Sequence, residues 1–365
     1  MNKMKVGIIG CGNISAAYMK NIPTFAHLEL IACADIDVSK AHARAEEFAI
    51  PHAYTVEQLL NDPNVDIVIN LTIPAVHAQV CIQILEAGKH AYVEKPLAVT
   101  REEGLQILEV AQRKGLLIGS APDTFLGGGI QTAIKLIEDG WIGKPIAATA
   151  FMMGKGHEHW HPDPEFYYAK GGGPMFDMGP YYLTALVALL GPIRRVTGST
   201  AVSFPERTIS SEKKRGQRIK VETPTHVAGV IDFHNGAIAT LVTSFDIMAG
   251  TQLPHIEIYG SHGSLSVPNP NIFGGEVLIR KPGSSNYEPI PLSHGYIDNS
   301  RGLGVAAMAQ ALITGDSSAH RANGELAYHV LEAMHGFHDA SDSGQHYVMR
   351  SSCEKPAAMN PYTVL

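Results

Sequence analysis

A short apolar run, Lys5-Val6-Gly7-Ile8-Ile9, passes directly into Gly10-Cys11-Gly12-Asn13-Ile14-Ser15 and then into a helix-compatible stretch over 16–21. No other feature constrains the fold as much. A buried parallel strand reads as a continuous apolar run. A glycine turn placed between such a strand and a helix lets the backbone close on a pyrophosphate at the helix N-terminus. Ser15 takes the third small position of the turn and leaves room for helix–sheet packing. A second strand, 28–34, ends in Asp35, 25 residues after Gly10. An acidic side chain there binds both ribose hydroxyls and repels a 2′-phosphate. The cofactor expected from this pattern is NAD rather than NADP, cradled by Gly10, Gly12, Asn13, Ile14 and Asp35.

The alternation continues. Helical patterns at 39–49 and 56–60 precede a strand at 65–71, closed by Thr72-Ile73-Pro74. A helix over 75–86 containing His77, a strand at 90–94, a helix over 101–114 and a strand at 116–119 follow. This order predicts an N-terminal Rossmann domain over 1–123, a doubly wound parallel sheet. Such sheets bind ligands at the carboxyl ends of their strands, where Gly10, Asp35, Thr72 and Lys95 all fall. Lys95 sits in Val93-Glu94-Lys95-Pro96-Leu97, a strand end whose proline blocks direct passage into a helix.

At 365 residues the chain exceeds one ordinary core, and its formal net charge is −7. That balance disfavours a nucleic-acid partner, which needs clustered Lys and Arg. Cys11, Cys33, Cys81 and Cys353 are scattered, as suits a reducing cytoplasm better than a disulfide framework. No apolar run approaches the roughly 20 residues that span a bilayer. Met1 to Lys5 lead into a strand without the apolar stretch of a signal peptide. The expectation is a cytoplasmic protein with neither membrane nor nucleic-acid partner.

Beyond residue 123 the pattern changes. Strand candidates lie at 146–153, 194–203, 225–233, 237–245, 255–259, 264–268 and 276–279, with hairpin turns at Asn235-Gly236 and Ser261-His262-Gly263. Together with helices at 302–313 and 325–341 they predict a C-terminal α+β domain over 124–365 on an open, mainly antiparallel sheet. Such a sheet can pair with a second copy, so a homo-oligomer, dimer or tetramer, is expected. The stretch 206–220, with Lys213-Lys214-Arg215, reads as a solvated, mobile loop. Asp123 has two readings: contact with cofactor or substrate, or the cap of a helix beginning near Gly129.

Two stretches of this second domain carry chemistry. In 156–168, an extended chain would put His157, His159 and His161 on one face. The prolines there, and the lack of an acidic or Cys partner at ligand spacing, argue against a metal. Trp160 and Tyr167 offer planes for the C–H faces of a sugar, and the histidines offer donors and acceptors for hydroxyls. The expected substrate-binding set is His157, His159, Trp160, His161 and Tyr167, with Asp177 and Tyr181. These last two lie in 171–184, where a glycine run and Pro174 start a helix. Asp177, Tyr181 and Thr184 share one face of it. A buried polar stripe needs partners, and a substrate can supply them.

The Gly10–Ser15 loop, Asp35, Thr72-Ile73-Pro74 with His77, and Glu94-Lys95-Pro96 together resemble the Gfo/Idh/MocA family, the group containing glucose–fructose oxidoreductase and inositol dehydrogenase. The resemblance implies a place for Lys95 beside the nicotinamide and the substrate hydroxyl. It also implies cofactor contacts for Thr72, Pro74, His77 and Glu94. The family's second signature, glycines followed by Asp-x-Gly-x-His-x-x-Asp, is matched at Asp177 and Gly179. Tyr181 stands where the histidine usually is, and Thr184 where the second aspartate is. In this the chain is similar to the tyrosine-bearing branch, which includes glucose–fructose oxidoreductase and dimeric dihydrodiol dehydrogenase.

The implied activity is NAD-dependent hydride transfer at a secondary alcohol of a sugar, glycoside or polyol. The hydroxyl proton needs a base, and Lys95 and Tyr181 are the candidates. Free Tyr and Lys titrate at about 10 and 10.4, so burial or a nearby nicotinamide cation must lower them. Tyr181 is expected to exchange the proton while Lys95 holds the hydroxyl, with the reverse assignment standing beside it. Asp177 would orient Lys95 or bind an adjacent hydroxyl. Two other readings are redox-assisted glycoside cleavage through a transient 3-keto sugar, and a non-catalytic NAD-binding regulator.

Overall fold

Short strands with both faces covered make up the first sheet, in a computed structural model that describes residues 3–365. Met1 and Asn2, where the reading of the N-terminus begins, lie outside the described residues. The first elements are β1 (Met4–Ile9), α1 (Ser15–Asn21), β2 (Leu28–Ala34), α2 (Val38–Phe48), β3 (His52–Tyr54) and α3 (Val56–Asn61). They continue with β4 (Ile67–Asn70), α4 (His77–Glu86), β5 (His90–Val93), α5 (Arg101–Lys114) and β6 (Ile118–Ser120). The six strands run parallel in the order β3-β2-β1-β4-β5-β6. Strand order reverses between β1 and β4, which places a ligand crevice at their carboxyl ends. Ile8, Cys33, Ile67, Ile69, Tyr92 and Val93 are fully buried, as strands covered on both faces require. Local signals set the helix ends. Capping boxes Thr55/Gln58 and Thr100/Glu103 open α3 and α5, and Gly115 closes α5. β3 has no counterpart in the sequence reading, because three residues at a sheet edge are too few to show alternation.

The remaining elements are α6 (Gly128–Glu138), β7 (Pro145–Met153), α7 (Pro174–Leu190), β8 (Ile193–Ala201), β9 (Glu206–Thr208), β10 (Arg218–Lys220), β11 (His226–Phe233) and β12 (Ile238–Ser244). After them come β13 (Ile256–Gly260), β14 (Gly263–Val267), β15 (Val277–Arg280), β16 (Glu288–Ile290), α8 (Leu303–Thr314), α9 (Gly324–Ser343) and β17 (Tyr347–Val348). Nine strands form the second sheet, in the order β16-β15-β14-β13-β7-β12-β11-β8-β17. Only β12 and β7 pair in parallel, from Ile238↔Ala147 to Ser244↔Met153, and the other neighbours are antiparallel. The fold class read from the sequence, a Rossmann sheet followed by an open, mainly antiparallel one, is the architecture observed. α7 packs on β7, β11 and β12 and is buried on every side from Gly179 to Leu190, which explains its nearly continuous apolar sequence.

The stretch 206–220 is not a solvated loop. β9 and β10 pair as an antiparallel hairpin, and Arg207, Ile209 and Ile219 are buried. Its exposed lysines had masked a half-buried alternation.

The chain divides into two units. Met1–Gly127, His294–Leu331 and Pro356–Leu365 form one, and Gly128–Ser293 with Glu332–Lys355 form the other. The division differs from a single cut after residue 123, and the reason is local. Within the first unit, Asp123 accepts N–H bonds from Gly302 and Gly304, His320 bonds the Ile118 carbonyl, and Ala26 N–H donates to the Leu365 carbonyl. No helix among the described residues is long and apolar enough to cross a membrane.

Candidate active site

In the first unit the loop after β1 is shaped by what its glycines permit. Gly10 has φ +103°, and a Cβ there would lie 2.7 Å from the Leu71 carbonyl carbon and oxygen. Only glycine fits that position. Gly12 differs: it is exposed, and nothing lies within 4 Å of an added Cβ. Its missing side chain therefore leaves open space beside the loop rather than relieving a clash. Ser15 is fully buried, and its Oγ donates to the Gly12 carbonyl at 2.6 Å, so the third small position stitches the loop to α1. Asp35 faces the same loop. Its Oδ2 accepts the Cys11 N–H at 2.8 Å and its Oδ1 the Asp37 N–H at 2.9 Å. An ionised carboxylate has about four lone-pair sites, so each oxygen keeps capacity for a further donor such as a diol. Arg44, which pattern reading missed, donates to the Gly12 carbonyl at 3.3 Å and pairs with Glu47 at 2.6 Å.

Two further loops of this unit are tied together through Asn70 and His77. Asn70, at the end of β4, is buried. Its Oδ1 accepts from the Thr72 N–H at 3.1 Å and the Thr72 Oγ1 at 2.6 Å, and its Nδ2 donates to the His77 carbonyl at 3.0 Å. His77 has no exposed surface. Its Nδ1 lies 2.7 Å from the Pro96 carbonyl and its Nε2 2.9 Å from that of Thr72. Burial lowers its pKa despite both carbonyls, which favour the cation. His77 thus acts through the backbone of Thr72 and Pro96, as a bolt behind the surface that carries Thr72, exposed Pro74 and Lys95. Glu94 is similarly engaged: Tyr18 Oη donates to it at 2.9 Å and the Lys95 N–H at 3.0 Å. Lys95 is half-buried, and its peptide bond to Pro96 is cis.

Asp123 is a cap, but of α8 rather than of the helix beginning near Gly129. Its Oδ2 accepts the N–H groups of Gly302 at 2.9 Å and Gly304 at 3.1 Å. Burial pushes its carboxyl up to about 6, against the pull of those bonds and of Arg301.

In the second unit the 156–168 stretch is a turn, not an extended strand, because Trp160 N–H and His161 N–H both return to the His157 carbonyl. The shared face of three histidines therefore does not form. His157 Nε2 contacts Asp177 Oδ2 at 2.8 Å, and Trp160 Nε1 donates to His157 Nδ1 at 3.1 Å. Tyr167 and Phe245 enclose the His157 ring at centroid distances of 4.1 and 4.7 Å. His161 packs among Trp160, Phe166 and Tyr167. His159 is exposed, its pKa lowered first by partial desolvation and then by Lys155, against the pull of Glu158 and the Gly156 backbone. No group of three or more His, Cys, Asp or Glu side chains placed to hold a metal occurs among the described residues. Tyr181 and Thr184 are buried along α7, one and two turns beyond Asp177.

The β9–β10 hairpin holds this turn in place. Arg207, 4% exposed, pairs with Glu158 at 3.2 Å and Asp246 at 3.0 Å, and also donates to the Phe245 carbonyl. Tyr168 Oη donates to Glu158 from the other side. Ser210 and Ser211 N–H groups reach the Glu158 carbonyl, and Lys213 and Lys214 pair with Asp163. Asn70, Tyr18 and Arg207 were invisible to sequence reasoning, because no spacing rule links them to the residues they hold.

Residues 4–121 match the family model for the Gfo/Idh/MocA oxidoreductase family, NAD-binding Rossmann fold, and residues 130–266 that for the Gfo/Idh/MocA C-terminal domain. An uncharacterized oxidoreductase of Schizosaccharomyces pombe is 28% identical over 54% of this chain, which spans only 55% of that protein. D-glucoside 3-dehydrogenase of Escherichia coli is 29% identical over 66% of this chain and 70% of its own length. The structure of levoglucosan dehydrogenase in complex with NADH and levoglucosan covers 96% of this chain and 100% of its own, with a TM-score of 0.80 and 20% identity, a likeness of fold.

Proposed function

The chain belongs to the Gfo/Idh/MocA family of oxidoreductases, and from that premise we propose that it transfers a hydride between a secondary alcohol of a sugar, glycoside or polyol and the nicotinamide ring of NAD. The observation that carries this reading is Asp35 seated on the Cys11 and Asp37 amides beside a loop that Gly12 leaves open. An open space that a Cβ would fill, next to a carboxylate with spare acceptor capacity, suits a dinucleotide whose ribose bears two free hydroxyls. NAD supplies the hydride acceptor or donor; the chain supplies binding, orientation and proton handling. Gly10, Gly12, Asn13, Ile14 and Asp35 would hold the adenosine and pyrophosphate half. Thr72, Pro74, Glu94 and Lys95, backed by His77, would serve the nicotinamide half. Lys95 is assigned to hold the substrate hydroxyl and Tyr181 to exchange its proton. Asp177 binds a neighbouring hydroxyl, and His157, His159, Trp160, His161 and Tyr167 contribute the carbohydrate surface. Preference for NAD over NADP is part of the proposal, since Asp35 would repel a 2′-phosphate that Arg44 alone would attract.

The likeness to a D-glucoside 3-dehydrogenase supports oxidation at C3 of a glycoside; a second reading adds elimination of the aglycone, addition of water to the resulting enone and return of the hydride. A screen of sugars, polyols and glycosides, followed both by nicotinamide absorbance and by product analysis, tests both. Net NADH with a keto product supports the dehydrogenase. Free sugar and aglycone without net NADH supports cleavage. NAD binding with no turnover on any substrate overturns both in favour of a regulator.

Two accompanying proposals concern the molecule's setting. A cytoplasmic location agrees with four free cysteines. Self-association through the second sheet is supported by one face on which Ala147, Thr149, Phe151, Val242, Ala228 and Val230 are only half-buried.

A further inference from the structure

Asp177 lies in the first turn of α7, and the groups around it determine a protonation pattern. An indole N–H can only donate. Because Trp160 Nε1 lies 3.1 Å from His157 Nδ1, that ring nitrogen must be the acceptor. The neutral imidazole then carries its proton on Nε2, which faces Asp177 Oδ2 at 2.8 Å and donates to it. Tyr167 and Phe245 pack on the ring and limit its turning, and Tyr168 Oη fixes the main chain behind it by accepting the backbone N–H of His157 at 3.2 Å. Tyr168 is itself held by Glu158, which Arg207 holds in turn.

We propose that Trp160, His157 and Asp177 form a positioning chain, in which the Trp160 N–H selects the Nε2–H tautomer of His157 and that proton orients the Asp177 carboxylate toward substrate. The proposal rests on the reading of Asp177 as a substrate-facing residue. It gives His157 and Trp160 a role in addition to the carbohydrate surface proposed for them.

The chain breaks in a definite way. Adding a proton to Nδ1 sets one N–H against another, so the cationic imidazole and the Trp160 contact exclude each other. Without the Trp160 contact nothing selects the tautomer, and the Nδ1–H form would turn a bare Nε2 lone pair toward the Asp177 carboxylate.

Two measurements on the full-length protein test this. In the first, ¹⁵N NMR of the histidine side chains at neutral pH should show His157 protonated at Nε2 and bare at Nδ1; an Nδ1–H tautomer overturns the proposal whatever the enzyme does. The second is kinetic. His157→Ala should lower kcat/KM by about 10- to 100-fold, as expected for a lost bond to a charged group, with NAD affinity retained. His157→Gln, whose amide can still donate to Asp177, should recover most of that loss. Trp160→Phe, which leaves the tautomer unselected, should lower kcat/KM by less than His157→Ala does. A His157→Gln variant no more active than His157→Ala would overturn the proposal. Failure of the wild type to turn over any sugar would instead defeat the functional reading and leave the tautomer result standing.

Discussion

The Gly10–Ser15 loop and the 156–168 turn are held in opposite ways. In the first, the backbone sets the shape: a residue at φ +103° pressed against Leu71, and a buried serine hydroxyl on the Gly12 carbonyl. In the second, side chains set it: Arg207 arrives from a hairpin about forty residues downstream and draws Glu158 and Asp246 together. A loop fixed by its own backbone leaves its mark in local sequence. A loop fixed by a distant cation does not. The difference has a functional side as well. On the proposed function, the glycine loop would offer backbone groups to a dinucleotide, whereas the turn would offer aromatic and imidazole side chains to the substrate.

The largest effect that would sharpen the contrast is removal of Arg207. Arg207→Leu leaves Glu158 and Asp246 buried without their cation, and breaking such a pairing costs about 3–5 kcal/mol. A fall of several degrees in Tm with new proteolytic cleavage within 156–168 is expected; an unchanged Tm would show that the hairpin does not hold the turn. Next comes the chemistry itself. Tyr181→Phe should lower kcat by at least ~100-fold with NAD affinity intact, as loss of a general base does; a near-normal rate would move the proton to Lys95. On the backbone side, Gly10→Ala should cost about 1–3 kcal/mol or more through backbone strain alone, whereas Gly12→Ala should fold normally and weaken NAD. Equal loss of stability in the two variants would break the distinction drawn between them.

Smaller effects follow. Asp35→Ala should shift the NAD-to-NADP preference by roughly tenfold or more, since bonds to a charged group contribute about 1.5–3 kcal/mol, and Arg44 remains to meet a 2′-phosphate. An unchanged preference ratio, from kinetics with each cofactor, would reject the ribose role. Smallest is the exposed end of the hairpin. Hydrogen bonds from Lys213 and Lys214 hold the Asp163 carboxyl down to about 2. A depressed carboxyl adds stability that is present above the ordinary carboxylate range and lost as pH falls toward 2. Because the ions face solvent, Lys213→Ala should scarcely change Tm at neutral pH and should flatten its fall only in acid. A loss as large as that of Arg207→Leu would contradict the division between buried and exposed ties.

The same contrast explains what was legible in the sequence. The strand–turn–helix order, Asp35 and the Pro174 helix start announce themselves because each is a local conformational demand. The His157–Asp177 contact spans twenty residues and depends on a turn that the proline-rich sequence does not specify. Arg207 was concealed by its charged neighbours, since alternate burial in a three-residue strand leaves too short a pattern. Asp123 was legible as a cap, but its helix lies 180 residues along the chain, a pairing that only topology creates.

The most direct test of the central claim is isotope transfer. The protein is incubated with NAD and with glycosides and sugars deuterated at their secondary alcohol carbons, and the nicotinamide is recovered for mass spectrometry. Deuterium on the reduced cofactor is the predicted result. Bound NAD that acquires no deuterium from any of them, under conditions where the protein is folded, would contradict it.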